Sequence, residues 1–448
     1  MKVRFLIILN KLITNVLKLM GKNASVFPAS IILPFDKNIL EKVKYPSVVI
    51  GITGSSGKGS STKILANILK QNGKKVVWNK SGSNVKNAIT TLILNNTSII
   101  SKKIKGDILL LELDEAYLSK TFKKGMLTHL VLTNITRDQP PRNYTPENIL
   151  NKIINSVDER THIIINSDDV LVNRFTLKHS GKITTFGLDK SKYSIDKQSY
   201  KSLDGAYCPV CSKKLIYSYY YYGHLGSYQC NNCNYKRCID VLGTNIDLDK
   251  KEIKINNKKV KIPGNVIFDA YNTLSAYTAA LVLGLNDEEI VIDYKESQEK
   301  SLKLDNRDVY LVESKNENNI SHLLGLHTIN SYKETKTLIL GFDHVSKRHV
   351  HNDLSWLYDI DYTELDMESI DKIFIVGKFR FDLKNCLLNN NINYNKIILV
   401  DDESNLTNLI KENSSGAIFV TVCENMIEMT YSLTKFFNNI RKGDNNES

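Results

Sequence analysis

The stretch from Val48 to Lys70, VVIGITGSSGKGSSTKILANILK, constrains the fold more than any other part of the chain. An apolar run typical of a buried strand leads into a glycine-rich turn, and a helical pattern follows. This order predicts a phosphate-binding loop, in which backbone N–H groups and the start of a helix hold an anion. Because a strand and helix joined in this way usually belong to a parallel sheet, we expect an α/β fold.

The loop departs from the common pattern G-x-x-x-x-G-K-[ST] at two points. Five residues, not four, separate Gly51 from Gly57, and Gly59 follows Lys58 where a hydroxyl residue is expected. The first hydroxyl comes one position later, at Ser60, and we assign it to Mg²⁺. Lys58 is expected to neutralise the β- and γ-phosphates. The predicted nucleotide-binding residues of the loop are Gly54, Ser55, Ser56, Gly57, Lys58, Gly59 and Ser60.

Apolar strand segments alternate with helical segments along most of the chain after Pro46. This alternation predicts parallel sheets covered on both faces. A chain of 448 residues is expected to form two or three domains. We predict a basic amphipathic helix and lead-in at 1–45, a central ATP-binding domain at 46–300 with a cysteine-rich insert at 202–240, a smaller Rossmann-like α/β domain at 305–441 and a disordered tail at 442–448.

The charge balance and the cysteine distribution narrow the class of protein. The formal net charge is +12 and the pI is about 9.1, which suits an anionic partner but also fits a chain simply rich in Lys, Asn and Ile. Five of the seven cysteines lie between Cys208 and Cys238, which indicates a metal site in a reducing compartment rather than secreted disulfides. We therefore expect a cytoplasmic protein.

The N-terminal segment MKVRFLIILNKLITNVLKLMGKN has apolar residues at helical spacing and four interspersed cations, and two interpretations remain open. A basic amphipathic helix can lie on an anionic membrane, which would place the protein peripherally at the inner face. The helix can equally pack on the protein's own surface. No apolar run in the sequence approaches the roughly 18 residues needed to span a bilayer.

The segment LLLELDEA places Glu112 at the end of an apolar strand. A buried carboxylate is costly unless it meets a cation. We therefore predict that Glu112 and Ser60 hold Mg²⁺ together, since Mg²⁺ prefers oxygen ligands and substrate phosphates. The alternative is an exposed strand end with no ligand.

The cysteine-rich insert contains two CxxC pairs, separated by the 18 residues between Cys211 and Cys230. Four thiolates at this spacing, from Cys208, Cys211, Cys230 and Cys233, predict a structural Cys₄ zinc ribbon. His224 is expected to belong to the hairpin between the pairs and not to the metal. A zinc ribbon can also bind nucleic acid, but Lys and Arg are not concentrated here, so no nucleic-acid partner is expected.

The segment HNDLSWLYDID, which contains Asp353 and Trp356, has polar groups around one of only two tryptophans. Its composition alone favours a surface turn with a packed Trp356.

Taken together, these motifs resemble the MurT branch of the Mur ligase superfamily. TGSSGKGSS matches the superfamily's loop pattern T-G-x-x-G-K-[TG]-[ST], which accounts for both departures noted above. The ribbon sequence and the segments NKSGSNV, ELDEA, LTNITRDQ and NSDD resemble that branch in the same order. YNTLSA resembles the stretch whose asparagine, here Asn272, contacts adenine in Mur ligases. The resemblance covers nearly the whole chain.

The resemblance implies an ATP-dependent amidotransferase subunit of peptidoglycan synthesis. ATP would activate the α-carboxyl of D-glutamate in the lipid II stem peptide as an acyl phosphate, and ammonia would displace phosphate to give D-isoglutamine. Lys58 would act catalytically by stabilising charge on the γ-phosphate. The resemblance further implies a heterodimer with a GatD-like class-I glutaminase that supplies ammonia, and makes Asp353 a catalytic residue that acts in the partner's active site.

Three segments depart from the family pattern. An expected N-P-A-G-type segment reads ESKNENNISHLL, TRDQPPRN carries two prolines, and the G-R-x-E segment is reduced to LDNRDVY, where Arg307 is the remaining candidate for nucleotide contact. These departures leave two alternatives open. One is a diverged Mur-type amide or peptide ligase for another carboxylate substrate, and the other is a non-catalytic nucleotide-binding scaffold with a zinc ribbon.

Overall fold

The structure is a computed structural model that describes most of the chain. Asp353 and the predicted tail at 442–448 lie outside the described residues, so the structure does not test the predictions made for them. The described residues are 2–80, 82–115, 117–137, 145–198, 204–293, 302–312, 319–342, 354–365, 367–422, 436 and 440.

The first part of the chain folds around one large sheet with helices on both faces. A 3₁₀ turn at Ile39–Lys42 leads into the first strand, and another lies at Val172–Leu177. The elements in chain order are α1 (Lys2–Leu19), α2 (Phe27–Ile32), β1 (Val48–Thr53), α3 (Lys58–Gln71), β2 (Val76–Trp78), α4 (Lys86–Asn95), β3 (Ile108–Glu112), α5 (Leu118–Thr121), β4 (His129–Leu132), α6 (Pro146–Ile154), β5 (His162–Asn166), β6 (Ile183–Leu188), β7 (Ile216–Tyr222), β8 (Leu225–Gln229), β9 (Val241–Asp247), β10 (Glu252–Ile255), β11 (Lys258–Lys261) and α7 (Ile267–Val282).

The large sheet has nine strands in the order β11-β10-β9-β6-β5-β4-β1-β3-β2. Strands from β2 across to β9 pair in parallel, whereas β9, β10 and β11 pair antiparallel. Successive strand residues face opposite apolar layers, so Leu109 packs on one side and Leu110 on the other. This architecture confirms the prediction of a parallel α/β sheet covered on both faces. It also places β1 beside β3 and β4, whose carboxyl ends carry the predicted site.

α1 packs against α2 and α4. Leu6 and Ile7 are buried in this contact, and Asn10 donates from Nδ2 to Asn95 Oδ1 at 2.9 Å. Packing of the N-terminal helix on the protein's own surface is therefore confirmed for one face of α1. None of the described helices combines the length and apolar content needed to cross a bilayer.

A second, smaller sheet follows in the order β12-β13-β17-β14-β15-β16, with β12 and β13 antiparallel and the remaining pairs parallel. We propose the two sheets as the cores of the two α/β domains predicted at 46–300 and 305–441. The elements are β12 (Leu302–Leu304), β13 (Arg307–Leu311), α8 (Asn319–Ser331), β14 (Lys336–Gly341), β15 (Ile370–Val376), α9 (Arg380–Asn389), β16 (Ile397–Leu399), α10 (Leu406–Asn413) and β17 (Ala417–Val422), with 3₁₀ turns at Ser355–Asp359, Tyr362–Glu364, Tyr394–Lys396 and Glu403–Asn405.

Candidate active site and cysteine cluster

The loop between β1 and α3 depends on two glycines with positive φ. Gly54 has φ +135°, and a Cβ there would lie 2.3 Å from Thr133 Oγ1. Gly57 has φ +80°, and a Cβ there would lie 2.2 Å from Asn272 Oδ1. Both conformations suit glycine alone, and both positions are too crowded for a side chain. The sequence therefore turns sharply after β1 and directs the start of α3 toward the carboxyl edge of the sheet, where helix amides bind anions.

The segment that follows β4 forms hydrogen bonds with the backbone of the loop. Asn134 accepts from Ser56 N at 3.0 Å and donates back to Ser56 O at 3.1 Å, and Thr133 Oγ1 donates to Ser56 O at 2.6 Å. Ser55 N also donates to Asn134 O at 2.8 Å. The amides of Ser55 and Ser56 are thus engaged by the protein. The first turn of α3, with its amides beyond the reach of intrahelical acceptors, supplies the donors for an anion.

Lys58 is the first residue of α3 and is largely buried. Its Nζ donates to Gly54 O at 2.5 Å and lies 3.1 Å from Glu115 Oε2. The exposed fractions of the two side chains are 13% and 2%, so this ion pair is shielded from solvent. The structure therefore places Lys58 within the loop that it is predicted to serve, with Glu115 as its counter-ion.

Glu112 ends β3 and is 6% exposed. Asn79 fixes its backbone with two hydrogen bonds of 2.9 Å, one to Glu112 O and one from Glu112 N. Asn84 Nδ2 donates to Glu112 Oε1 at 3.0 Å. The second oxygen, Oε2, would lie 3.2 Å from a Cβ at Gly59, which explains why a small residue follows Lys58. The carboxylate thus lies against the first turn of α3.

The donor set at this edge fits Mg²⁺, since the ion is commonly held by one or two carboxylates together with hydroxyl and phosphate oxygens. Glu112 supplies the carboxylate, and Ser60 is exposed in the adjoining helical turn. Asn79 and Asn84 were not predicted individually as site residues. Their signal in the sequence was the motif NKSGSNV, which follows the neighbouring strand β2.

Asn272 lies on α7, directly beside the phosphate-binding loop. Its Oδ1 accepts a 3.5 Å hydrogen bond from Ser61 Oγ and contacts Gly57. The resemblance implied an adenine contact for this residue, and that role remains a prediction. The structure itself gives Asn272 a contact with the loop backbone.

Arg307 is the first residue of β13, in the second sheet. It donates from Nε to Gly416 O at 2.6 Å and from Nη2 to Thr337 Oγ1 at 2.7 Å, and it also bonds to the carbonyls of Ser414 and Ser415. Among the described residues, none of its hydrogen bonds reaches the phosphate-binding loop. The local role of Arg307 is to tie β13 to the turn before β17, and its predicted nucleotide contact is without support from this arrangement.

The four sulfur atoms of the CxxC pairs lie within 4.8 Å of one another. Cys208 Sγ is 3.6 Å from Cys233 Sγ, and Cys211 Sγ is 3.4 Å from Cys230 Sγ. Four sulfurs bound tetrahedrally to zinc are about 3.8 Å apart, given a Zn–S bond of about 2.3 Å. The cluster therefore fits one metal ion. No other group of three or more Cys, His, Asp or Glu in the described ranges converges in this way.

Each CxxC pair occupies the same kind of tight turn. Cys208 N donates to Lys213 O, and Cys230 N donates to Tyr235 O, both at 2.8 Å. Cys238, the fifth cysteine of the insert, is exposed and is not part of the cluster. The two CxxC pairs are therefore presented by matching backbone turns.

His224 lies in the hairpin between β7 and β8, as predicted, and it has a specific partner there. Its Nε2 is 2.9 Å from Asp169 Oδ1, and both side chains are buried. Burial is the largest single influence on the pKa of His224 and lowers it, but the charge and hydrogen bond of Asp169 together with the charge of Asp204 outweigh burial, so the pKa is raised. Asp169 also accepts from Ile135 N at 2.7 Å. This carboxylate connects the cysteine-containing module with the segment under the phosphate-binding loop.

Asp168 has a structural role as well. Its carboxylate is fully buried, pairs with Arg237 and accepts from Tyr271 Oη at 2.7 Å and Leu188 N at 2.8 Å. Asp168 and Asp169 follow the carboxyl end of β5, where ligand-binding carboxylates are common in parallel sheets. Both carboxylates are instead bonded to protein groups, and their charged partners, Arg237 and His224, are distant in sequence. Asp169 also accepts from the nearby amides of Leu171 and Val172.

Trp356 is fully buried beside His322 and Phe342, and His322 also contacts Tyr362. The prediction of a packed Trp356 is therefore confirmed. Asp353, three residues earlier, lies outside the described residues.

Comparison with known proteins agrees with this arrangement. The model of the Mur ligase middle domain matches residues 52–280, and that of the MurT ligase C-terminal domain matches residues 314–426. The chain belongs to the Mur ligase family, and it is accordingly an ATP-dependent ligase.

Two curated relatives cover most of the chain. The lipid II isoglutaminyl synthase (glutamine-hydrolyzing) subunit MurT of Staphylococcus aureus strain COL is 25% identical over 387 residues, which cover 82% of this chain and 84% of that protein. The subunit of the same name from Streptococcus pneumoniae strain ATCC BAA-255 / R6 is 28% identical over 379 residues, 80% of each chain.

Solved structures share the fold. A pseudomurein peptide ligase type C from Methanothermus fervidus superposes with a TM-score of 0.66 at 19% identity, covering 91% of this chain and 80% of that one. MurF ligase from Thermotoga maritima in complex with ADP gives a TM-score of 0.58 at 16% identity, covering 93% and 85%. The confirmed fold is therefore that of the Mur ligases.

Proposed function

We propose that the chain catalyses the ATP-dependent amidation of the α-carboxyl of D-glutamate in the lipid II stem peptide, giving D-isoglutamine for peptidoglycan synthesis. The observation that carries the proposal is the contact between Glu112 Oε2 and the first turn of α3 at Gly59, beside Lys58. This arrangement suits the transfer of a γ-phosphoryl group. The names of the curated relatives support lipid II as the substrate.

In the proposed first step, a substrate carboxylate oxygen attacks the γ-phosphorus of ATP, and ADP leaves. Lys58 exchanges its contacts with Gly54 O and Glu115 for the phosphates, and its charge offsets the negative charge that develops there. Amides at the start of α3 hold the phosphate oxygens. Glu112 and Ser60 would hold Mg²⁺, which supplies further positive charge when bound.

In the second step, the nitrogen of ammonia attacks the acyl carbon, phosphate leaves, and the attacking nitrogen loses a proton to give the amide. Ammonia is scarce at neutral pH because most of it is protonated. We therefore propose a GatD-like class-I glutaminase as the partner of a heterodimer, and the words "glutamine-hydrolyzing" and "subunit" in the names of the relatives support it. We further propose that Asp353 completes the partner's active site.

The remaining parts of the proposal concern the metal and the location. We propose that the four cysteines hold Zn²⁺ in a structural site, since all four ligand positions are filled by protein thiolates. A lipid-linked substrate would place the enzyme in the cytoplasm at the inner face of the membrane.

The test is to incubate the chain and a candidate glutaminase with lipid II, ATP, Mg²⁺ and glutamine. We expect ADP release that depends on lipid II, together with the mass change of replacing a hydroxyl by an amino group. ADP release with a different carboxylate acceptor, but not with lipid II, would support a diverged ligase instead. Nucleotide binding without turnover on any acceptor would indicate a scaffold.

A further inference from the structure

The outer face of α1 is apolar and exposed. Phe5, Leu12, Val16 and Leu19 follow one another at spacings of three, four or seven residues and therefore share a face of the helix. Their exposed fractions are 62%, 57%, 54% and 88%. The buried residues of α1 lie on the opposite face, against α2 and α4. The helix thus has one face buried against the protein and an apolar stripe on its outer face.

Basic residues run along one flank of this outer stripe. Arg4, Lys11 and Lys18 are seven residues apart, about two helical turns, and so form a row. Arg4 also donates to Ile100 O at 3.2 Å, and this brings the 81% exposed Ile100 next to the helix. The first 35 residues contain no Asp or Glu. The surface therefore combines apolar side chains with uncompensated positive charge.

We propose that the outer face of α1 docks on a bilayer that contains anionic phospholipids. The apolar stripe enters the boundary between headgroups and acyl chains, and the basic row contacts lipid phosphates. This combination matches an anionic bilayer, whose phosphates lie directly above the acyl chains. The docking surface deepens the proposed function. It rests on that function only for the identity of the lipid-linked substrate.

A cavity of about 340 Å³ lies beside the same helix. Lys18 and Thr14 of α1, together with Asn79 and Lys80 after β2, contribute to its lining, and no lining residue is acidic. Asn79 also fixes the backbone of Glu112. When α1 lies on the membrane, this cationic cavity is near the level of the lipid headgroups.

The experiment measures cosedimentation of the full chain with vesicles. We expect strong binding to phosphatidylcholine vesicles that contain phosphatidylglycerol, at least tenfold weaker binding to pure phosphatidylcholine, and partial loss in high salt. The double variant Leu12→Glu/Val16→Glu should bind the anionic vesicles at least tenfold less than the wild type. The matched control Phe381→Glu/Tyr394→Glu, whose native side chains are 56% and 62% exposed, should bind like the wild type.

Circular dichroism and nucleotide binding verify that both variants are folded. Equal binding of anionic vesicles by the wild type and Leu12→Glu/Val16→Glu would overturn the proposal, as would absence of vesicle binding by the wild type. If the variant binds vesicles normally but loses the glutaminase, the face is a protein interface and the proposal is wrong. Amidation of a water-soluble stem-peptide substrate should be unchanged in the variant, so failure of docking and failure of the proposed reaction give different results.

Discussion

His224 Nε2, in the cysteine-containing insert, and Asp169 Oδ1, in the segment after β5, form a buried contact of 2.9 Å. The other oxygen of Asp169 accepts from Ile135 N at 2.7 Å, and the preceding residue, Asn134, is bonded to both the N–H and the carbonyl of Ser56. Three consecutive hydrogen-bonded steps therefore connect the cysteine-containing insert with the loop. We therefore expect a substitution in the insert to change nucleotide affinity.

We expect His224→Ala to destabilise the fold by about 3–5 kcal/mol, because it leaves a buried carboxylate without its cation. ADP affinity should also fall, since Asp169 positions the segment beneath the loop. Thermal unfolding and calorimetric ADP binding measure the two effects. His179→Ala, at a half-buried histidine with a backbone contact, is the control and should leave ADP affinity unchanged.

The same pair has a defined pH dependence. The pKa of His224 is raised in the folded state, so its contribution to stability is complete below the unfolded pKa of about 6.5 and is lost as pH rises through the folded value. The stability difference between the wild type and His224→Ala should shrink at alkaline pH. A difference that grows with pH would contradict the charged pair.

Lys58→Met should lower the rate of ATP turnover by roughly 10²-fold or more, because it removes the cation that faces the developing charge on the phosphoryl group. ATP turnover in the presence of substrate and partner is the measurement. Lys63→Met, an exposed lysine on the same helix α3, is the matched control. Comparable losses in both variants would show that charge on the helix, and not the position of Lys58, matters.

Gly57→Ala should destabilise the protein more than Gly73→Ala. Both glycines have positive φ, +80° and +71°, so each alanine carries a backbone cost of about 1 kcal/mol. Only at Gly57 does the added Cβ also meet a neighbour, Asn272 Oδ1. Chemical denaturation of the two variants gives the difference. Adding Asn272→Ala to Gly57→Ala should restore the part of the stability that the clash removes. If no stability is restored, Asn272 does not contact Gly57.

Cys230→Ser should lower both the bound zinc and the melting temperature, because the metal contributes directly to the stability of such a module. Elemental analysis and thermal unfolding check this expectation. Cys238→Ser, at the exposed cysteine outside the cluster, should retain the metal and the stability of the wild type. Full metal content in Cys230→Ser would contradict a four-thiolate site.

We expect acid to destabilise the part of the chain built on the second sheet, because His322 is buried there. Complete burial among aromatic rings lowers the pKa of His322 to about 3, so the unfolded chain takes up a proton near pH 6.5 that the folded chain does not. Stability should therefore fall by about 2 kcal/mol between pH 7.5 and pH 5. Urea denaturation at the two pH values should show less of this loss in His322→Phe. An unchanged loss would locate the sensitivity in other groups.

The local parts of the site followed from the sequence, whereas the long-range pairs did not. A strand, a glycine turn and a lysine-bearing helix are encoded within Val48–Lys70, and the CxxC pairs carry their own turns. By contrast, Asp168 and Asp169 follow a strand end just as ligand-binding carboxylates do. Only the fold shows that Arg237 and His224, both distant along the chain, neutralise them. The hydrogen bonds of Arg307 could not be read from the sequence either, since their carbonyl acceptors lie in the turn before β17, and its nucleotide contact stays a prediction.

β6 and β9 are hydrogen-bonded neighbours that run in parallel, with Phe186 opposite Val241. Parallel neighbours require a long crossover, which is usually an α-helix laid over the sheet. Here the cysteine-rich insert makes that crossover, and Tyr219, Tyr221 and Tyr222 of β7 cover the sheet where a helix would otherwise lie. The insert is therefore not an appendage that can be trimmed to a short loop. Its removal would uncover the apolar residues of the sheet that these tyrosines cover, and would leave only the segment 189–201 to join the two strands.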